Sequence, residues 1–358
     1  MPDPFRILVV NPGSTSTKVA VFEDARERFS ASISHSREDL TPFRRIADQY
    51  GMRLRVVEKT LTGNGVVLHG MHAVVGRGGL LKPIPGGVYR VNETMLEDLT
   101  KAERGEHASN LGAPIADALA KKIGCPAYIV DPVVVDELEP VARVSGLPGL
   151  ERKSIFHALN QRAVAKKAAE ALGYPYDSLS LIVAHLGGGI SVGCHRGGRV
   201  VDVNNALDGD GPFSPERAGG LPSGQLAQWC LSGQWTPADI KRKLTGQGGL
   251  VAHLGTNDIR VVRERIAGGD GHARLVVEAM VYQIAKAIGA CAAVLEGRVD
   301  AVVLSGGLAL DTDLVRDLRR KIEWIARVLV YPGEEEMQAM AEGVLEVLRR
   351  RTEARTYL

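Results

Sequence analysis

Three turns rich in glycine, serine or asparagine carry the clearest chemistry in this chain. NPGSTSTK runs from Asn11 to Lys18, HLGGGISV from His185 to Val192, and LSGGLAL from Leu304 to Leu310. The first two each follow an apolar strand and return into a second strand of alternating character. Such a turn leaves backbone N–H groups unpaired and clear of side-chain bulk, which is what wrapping an anion requires. The third repeats the strand and glycine turn but opens into a helix. Three anion-grade turns, two of them alike, imply a nucleotide held between two similar halves. Two arginines join them in glycine-rich settings, Arg77 in VVGRGG and Arg217 in SPERAGGLPSG. A guanidinium fork binds carboxylate or phosphate through two parallel bonds, and the glycines flanking Arg77 would let backbone and ligand approach closely.

The familiar nucleotide loops are absent. A Walker A loop needs G-x-x-x-x-G-K-[ST], and no Gly-Lys pair occurs anywhere. A dinucleotide fingerprint joins a strand to a helix, whereas the turn from Asn11 to Ser16 returns to a strand. It is a hairpin.

The elements that must position these turns alternate between strand and helix. Ile7–Val10 and Lys18–Phe22 form the first hairpin, and a helix from about Glu93 to Ala102 is capped by Asn92. Asn110–Ile123 reads as a second helix and Ala127–Val130 as a strand that ends at Asp131. An alanine-rich helix covers Lys153–Leu172, closed by Gly173 and Pro175. Strands follow at Leu181–Ala184, Ser191–His195 and Arg199–Val203, then a glycine-rich segment from Asp208 to Gly224. Leu275–Leu295 is a long helix with Met280, Ile284, Ala287, Ile288 and Cys291 on one face. Glu334–Arg350 is an amphipathic tail helix. These elements give an α/β chain with an acceptor-side domain, 1–152, rejoined by 335–358, and a nucleotide domain, 153–334.

Composition bounds the rest. The chain has 358 residues, 45% of them hydrophobic, so it can bury a sizeable core. A net charge of +2 and 5% aromatic residues give no electrostatic footprint or stacking platform for nucleic acid. No continuous run reaches the roughly 18 apolar residues of a membrane span. MPDPFRILVV enters a strand directly, without the charged and apolar regions of a signal peptide. A cytoplasmic protein with no membrane partner is expected. Cys125, Cys194, Cys230 and Cys291 show no C-x-x-C pair and no metal-ligand spacing, and are expected as buried thiols.

NPGSTSTK resembles the opening motif of the acetate and butyrate kinases, members of the acetate kinase, sugar kinase, heat-shock chaperone and actin superfamily. Its form with Pro12 and Thr15 is similar to the butyrate branch. The resemblance continues in family order through VVGRGG (Val74–Gly79), HASNLGAP (His107–Pro114), IVDPVVVDE (Ile129–Glu137), HLGGGISV, TNDIR (Thr256–Arg260) and LSGGLAL. It implies two ribonuclease-H-like domains of the actin-like ATPase kind, with a nucleotide cleft between them. It also implies reversible transfer of the γ-phosphoryl of ATP to butyrate or a related short or branched carboxylate, giving butanoyl phosphate and ADP. Mg²⁺ or Mn²⁺ is the implied metal, and a homo-oligomer, dimer or higher, the implied assembly.

A carboxylate acceptor is already ionised at pH 7 and needs no base. What it needs is charge control, because the transition state spreads negative charge over the equatorial oxygens of the moving phosphoryl. Arg77 is the candidate for the acceptor carboxylate, and Arg217 matches the family arginine near that phosphoryl. By the same resemblance Asn11 helps set the metal shell, while Ser14, Thr15, Ser16 and Lys18 sit near the phosphates. Asp131 lies close to Mg²⁺, through water because Mg²⁺ dehydrates reluctantly. Glu335 in PGEEEM reaches the metal, with Glu334 and Glu336 one register away on either side. His185, Gly187, Gly188 and Gly189 form the second phosphate turn. Asp258 and Arg260, with Ser305, Gly306 and Gly307, resemble the adenosine pocket.

The chain also departs from the acetate kinase pattern. Gly188 replaces an asparagine, as in the butyrate branch. The histidine of the G-T-S-H stretch falls in register on Gln161, with His157 one helical turn earlier, so either residue could take its role, and His157 joins the catalytic candidates. The arginine of H-R-V-V-H-G-G corresponds to Ala73. Three other readings compete: an acetate- or propionate-preferring kinase, a sugar-type kinase with Asp131 as general base, and an ATP-binding regulator without transfer. The apolar VVVDELEPV after Asp131 opposes a hydroxylated acceptor. Two candidate arginines oppose a pure regulator.

Overall fold

The apolar run after Pro4 forms β1 (Arg6–Pro12), which turns back as β2 (Ser16–Glu23) and again as β3 (Arg26–Ser34), both pairings antiparallel. β1 then takes a parallel partner on its other side, β4 (Ala73–Arg77). β5 (Val88–Arg90) lies antiparallel to β6 (Ala127–Val130), and β6 runs parallel to β4. Ile7, Leu8, Val9 and Val10 are all fully buried, as a strand covered on both faces must be. Leu8 and Val10 share a cluster with Ile115 and Leu119 of the Gly112–Ile123 helix, and the Glu336–Leu348 helix also packs on β1. A short strand, Arg355–Thr356, closes the far edge beside β5.

The later half repeats the pattern. β7 (Ser180–Leu186), β8 (Ile190–Arg196) and β9 (Arg199–Val203) form an antiparallel meander. β7 takes β10 (Ala301–Gly306) as a parallel partner, and β10 takes β11 (Val328–Pro332). From one edge the seven-stranded first sheet begins β3-β2-β1-β4-β6 before β5 and the Arg355–Thr356 strand, and the five-stranded second sheet reads β9-β8-β7-β10-β11. The same ribonuclease-H-like order therefore occurs twice, as the two similar turns imply.

The structure, a computed structural model, describes residues 3–358. They divide into one unit that reaches Val135 and includes Glu335–Leu358, and a second spanning Asp136–Glu334. The first break falls earlier than the expected residue 152, because the intervening segment is tied to the second sheet. Glu139 N–H donates to the Val201 carbonyl at 2.9 Å, and Arg152 pairs with Asp202 at 2.8 Å. The alanine-rich helix begins at Ala158 rather than Lys153. Residues just before it are drawn off the helix, as Ala206 N–H bonds the Ile155 carbonyl at 2.9 Å.

The Gly271–Val294 helix is long and apolar enough on average to cross a membrane, which a count of uninterrupted apolar residues misses. Here it is a core helix: Met280, Ile284 and Ile288 are fully buried, and it packs on β8. All four cysteines are free thiols. Cys194 and Cys291 are buried as expected, whereas Cys125 and Cys230 are partly exposed. Cys230 lies on the Ser223–Leu231 helix, which buries none of its residues.

Candidate active site

In the first unit, β1 and β4 run side by side and bring their C-terminal ends together. Asn11 is the next-to-last residue of β1 and Arg77 the last of β4. Glu336, the first residue of the Glu336–Leu348 helix, meets both. The Asn11 amide Nδ2 donates to Glu336 Oε2 at 2.8 Å, and the same oxygen takes the Arg77 guanidinium in an ion pair. Of the three consecutive glutamates, it is Glu336 that reaches Asn11. Glu334 lies 3.1 Å from His185 in the second unit. Glu335, the expected metal residue, is exposed at the helix N-cap, outside the helical register that aims Glu336 inward.

The glycines around Arg77 permit close backbone packing. A Cβ on Gly76 would sit 2.1 Å from the Gly112 carbonyl, and one on Gly79 2.5 Å from Asn110 Oδ1. The strand end and the start of the Gly112–Ile123 helix are pressed together there. Arg77 is thus presented by a strand of the sheet rather than by a loop.

Asp131 is 6% exposed and has φ +38°, a left-handed backbone that non-glycine residues adopt at some cost. Its Oδ1 accepts from Gly87 N–H at 2.7 Å, and its own N–H donates to the Gly87 carbonyl at 3.0 Å. The expected metal carboxylate therefore also clasps the loop ahead of β5. In the first turn, Ser14 and Thr15 are exposed and Ser16 half-buried, with Lys18 exposed directly across the hairpin from Asn11. Beneath them lies Arg53, fully buried and bonded to the turn's carbonyls. Sequence reasoning missed Arg53. The signal was present, since Arg53, Val57 and Leu61 are spaced four apart and form the buried stripe of the Tyr50–Gly63 helix.

In the second unit, His185 lies next to the end of β7 with its ring stacked on His157, centroids 3.9 Å apart and planes 17° apart. Asn160, missed by the sequence reading, lies one turn along the Ala158–Leu172 helix. Its Oδ1 stands 2.8 Å from His185 Nδ1 and accepts from the Ser305 hydroxyl at 2.8 Å. One amide thus ties the second glycine turn to the third. Ser305 is fully buried, so its side chain serves this tie and any nucleotide contact at that position falls to backbone.

His157 and Gln161 share Ser191: Nδ1 of His157 is 3.0 Å from its hydroxyl, and the Gln161 amide donates to the same oxygen at 2.8 Å. Gln161 continues inward to His195, 3.0 Å away, which in turn meets the Tyr176 hydroxyl at 2.7 Å. Of the two candidates for the histidine role, His157 stacks on His185 beside the second glycine turn and Gln161 belongs to a buried chain. Burial, and secondarily Arg162, pushes His195 down to about 3, so His195 is neutral when folded. The unfolded chain takes up that proton near pH 6.5 and below, so the contribution of His195 is complete above pH 6.5 and is lost as pH falls toward 3. Denaturant melts of wild type and His195→Gln over that range should differ in slope by about 1.4 kcal/mol per pH unit, the value for one proton. Parallel slopes would show that His195 is protonated in the fold.

Arg217 lies against the second glycine turn. A Cβ on Gly189 would fall 2.0 Å from its Nη1, and a Cβ on Gly188 would make ordinary contact with the Glu216 carboxylate at 3.4 Å. Arg217 donates from Nη1 to the Ala206 carbonyl, its own N–H bonds Ser214 Oγ at 3.1 Å, and Glu216 N–H bonds the Gly188 carbonyl at 3.2 Å. Its Nε is buried without a partner among the described residues, and burial pulls the guanidinium pKa down. Asp258 caps the Ile259–Ala267 helix and binds Arg260 through both guanidinium edges, at 3.0 and 2.7 Å. That pairing holds Asp258 down to about 2. Gly306 has φ +90°, and a Cβ there would stand 2.3 Å from the Leu186 carbonyl, so its glycine is a backbone requirement. Gly307 is open on its Cβ side.

The first unit therefore offers an amide, a carboxylate and a guanidinium in contact, a set suited to a hard cation and a carboxylate ligand. The second offers a glycine turn backed by a desolvated guanidinium, suited to phosphoryl oxygens. Among solved structures, the chain is similar to an acetate kinase from Porphyromonas gingivalis, at 19% identity and TM-score 0.78, covering 96% of this chain and 100% of that one. It is similar to a propionate kinase from Francisella tularensis, at 19% identity and TM-score 0.73, covering 95% and 98%. An acetate kinase from Entamoeba histolytica gives 17% identity and TM-score 0.72, covering 94% and 98%. These likenesses establish the actin-like ATPase fold in both units. The profile of the acetokinase family matches residues 149–329, just over half of the chain, and on that match the chain belongs to the acetokinase family of carboxylate kinases.

Proposed function

We propose that the chain transfers the γ-phosphoryl of ATP to butyrate or a related short or branched carboxylate, reversibly, giving the acyl phosphate and ADP. The observation that carries this reading is the ion pair of Arg77: a guanidinium at the end of a central strand, 19% exposed, already engaged with the carboxylate of Glu336. The acceptor carboxylate would take that fork, and Arg217 would stabilise charge on the moving phosphoryl. The butyrate branch is favoured by the spelling of NPGSTS and VVGRGG and by glycine at position 188.

A divalent cation fits the donor chemistry present. No group of three or more His, Cys, Asp or Glu is placed to hold a metal among the described residues. Mg²⁺ does not need one, because it keeps several waters and is typically held by one or two carboxylates plus substrate phosphates. Glu336 beside Asn11 would supply that carboxylate, in the role first expected of Glu335, with Asp131 acting through water. Mg²⁺ or Mn²⁺ held there by Glu336 and Asn11 would supply positive charge to offset that of the nucleotide phosphates.

A second reading, preference for acetate or propionate, draws on the names of the solved relatives. Trapping acyl phosphates with hydroxylamine across acetate, propionate, butyrate, isobutyrate and valerate separates the two. Four- and five-carbon acids should have the higher kcat/KM, each buried methylene contributing about 0.8 kcal/mol. Higher kcat/KM for acetate would favour the second reading, and preferred turnover of glucose or glycerol would overturn both.

A further inference from the structure

We propose that Arg53 is a positioning residue for the Gly13–Ser16 turn, and that its buried charge is neutralised by phosphoryl oxyanions of the nucleotide rather than by a protein carboxylate. The proposal rests on the kinase reading above and adds a residue that the motifs do not contain.

Arg53 is fully buried, yet every acceptor it meets is neutral. Its Nη1 donates to the carbonyls of Gly13 at 2.8 Å and Ser16 at 3.1 Å and to the Thr17 hydroxyl at 3.1 Å. Its Nη2 donates to the Ser14 carbonyl at 3.1 Å, and Nε and Nη2 share Gln49 Oε1 at 3.1 and 2.9 Å. Three partly buried arginines of this chain do pair with acids: Arg152 with Asp202, Arg162 with Glu137 and Arg263 with Asp311. A buried ion without a counter-ion carries an effective penalty of several kcal/mol. His35, on the far side of Thr17 at 2.8 Å, brings no compensation, as burial and Arg53 both hold it toward the neutral form. The second unit repeats the device, with Arg217 under its own glycine turn and bonded to a carbonyl.

The bonds to Arg53 also orient the turn. In a planar trans peptide the N–H points opposite to the preceding C=O. With the Gly13 and Ser14 carbonyls drawn down to the guanidinium, the N–H groups of Ser14 and Thr15 must face the other way. Both residues are exposed, and neither amide has a protein acceptor among the described residues. Two outward amides above a positive charge form a concave anion site of the nest type. The ligand class is a polyphosphate or acyl phosphate oxyanion.

The test compares Arg53→Met, which removes the charge and the fork, with Arg53→Lys, which keeps the charge. Arg53→Met should weaken MgADP and inorganic pyrophosphate binding by about tenfold or more, while the acceptor KM changes less than about twofold. Arg53→Lys should recover part of the pyrophosphate affinity. Unchanged affinity in folded Arg53→Met would reduce Arg53 to a packing residue and overturn the proposal. Should Arg53→Met not fold, ¹⁵N amide shifts of the wild-type protein decide: Ser14 and Thr15 should move on titration with pyrophosphate, and no movement overturns the proposal. Wild type that binds pyrophosphate at these amides but phosphorylates no carboxylate would remove the kinase reading and leave the role of Arg53 standing. Active wild type with Arg53-independent nucleotide affinity would do the reverse.

Discussion

Arg217→Ala should lower kcat by about 10² or more at saturating ATP and acceptor, the loss typical of one preorganised donor to a developing oxyanion. The size follows from how the side chain is held. Its guanidinium is desolvated, tethered through Nη1 to the Ala206 carbonyl, and placed against Gly189, while its backbone N–H is fixed by Ser214. A group held this way before substrate arrives pays no reorganisation during transfer, so removing it should act on kcat more than on the acceptor KM. Arg77→Ala should behave differently, raising the acceptor KM, because its partner in the ligand-free protein is a carboxylate. Lysine at 217 keeps the charge without the planar fork and should restore only part of the loss. Steady-state kinetics on variants with matched thermal melts make the comparison. Near wild-type kcat in folded Arg217→Ala would leave its loop as packing alone.

What the sequence made legible was local in origin. β1 and β2 announce themselves through an apolar run, a glycine-serine turn and a return strand, and the same pattern at β7 and β8 makes the duplication visible before any tertiary information. The helix at Glu93–Lys101 was legible through its Asn92 cap, whose Oδ1 accepts from Met95 N–H at 3.0 Å. What stayed hidden depends on contacts between distant segments. Glu336 meets Asn11 across 325 positions of chain, and a run of three glutamates carries no mark of which one faces inward. Asn160 looks like any polar residue of an alanine-rich helix until β7 and β10 bring His185 and Ser305 to it. The glycines of VVGRGG were legible as sites of close approach, but their partners were not. The close approach they allow is to backbone and side chains of distant segments, with Gly112 against Gly76, Pro132 against Gly78 and Asn110 against Gly79.

The Gly187–Gly189 turn permits a sharper test, because neighbouring glycines there face different constraints. At Gly188 a methyl group would touch the Glu216 carboxylate at 3.4 Å, an ordinary contact, so Gly188→Ala should keep its melting temperature and most of its activity. At Gly189 the methyl would lie 2.0 Å from Arg217 Nη1, 2.5 Å from its Cζ and 3.1 Å from the Ala206 carbonyl. The first two atoms belong to the end of a flexible side chain, which can swing away. The backbone need yield only slightly. Gly189→Ala should therefore fold but lose kcat by about 10², as though the arginine had been removed. If displacement of Arg217 is the cause, the two changes must not add: Gly189→Ala in an Arg217→Ala background should cost little more, giving a coupling near the full single-mutant effect. Additive losses in that cycle would mean that Gly189 contributes its own backbone to phosphoryl binding, independently of the guanidinium packed against it.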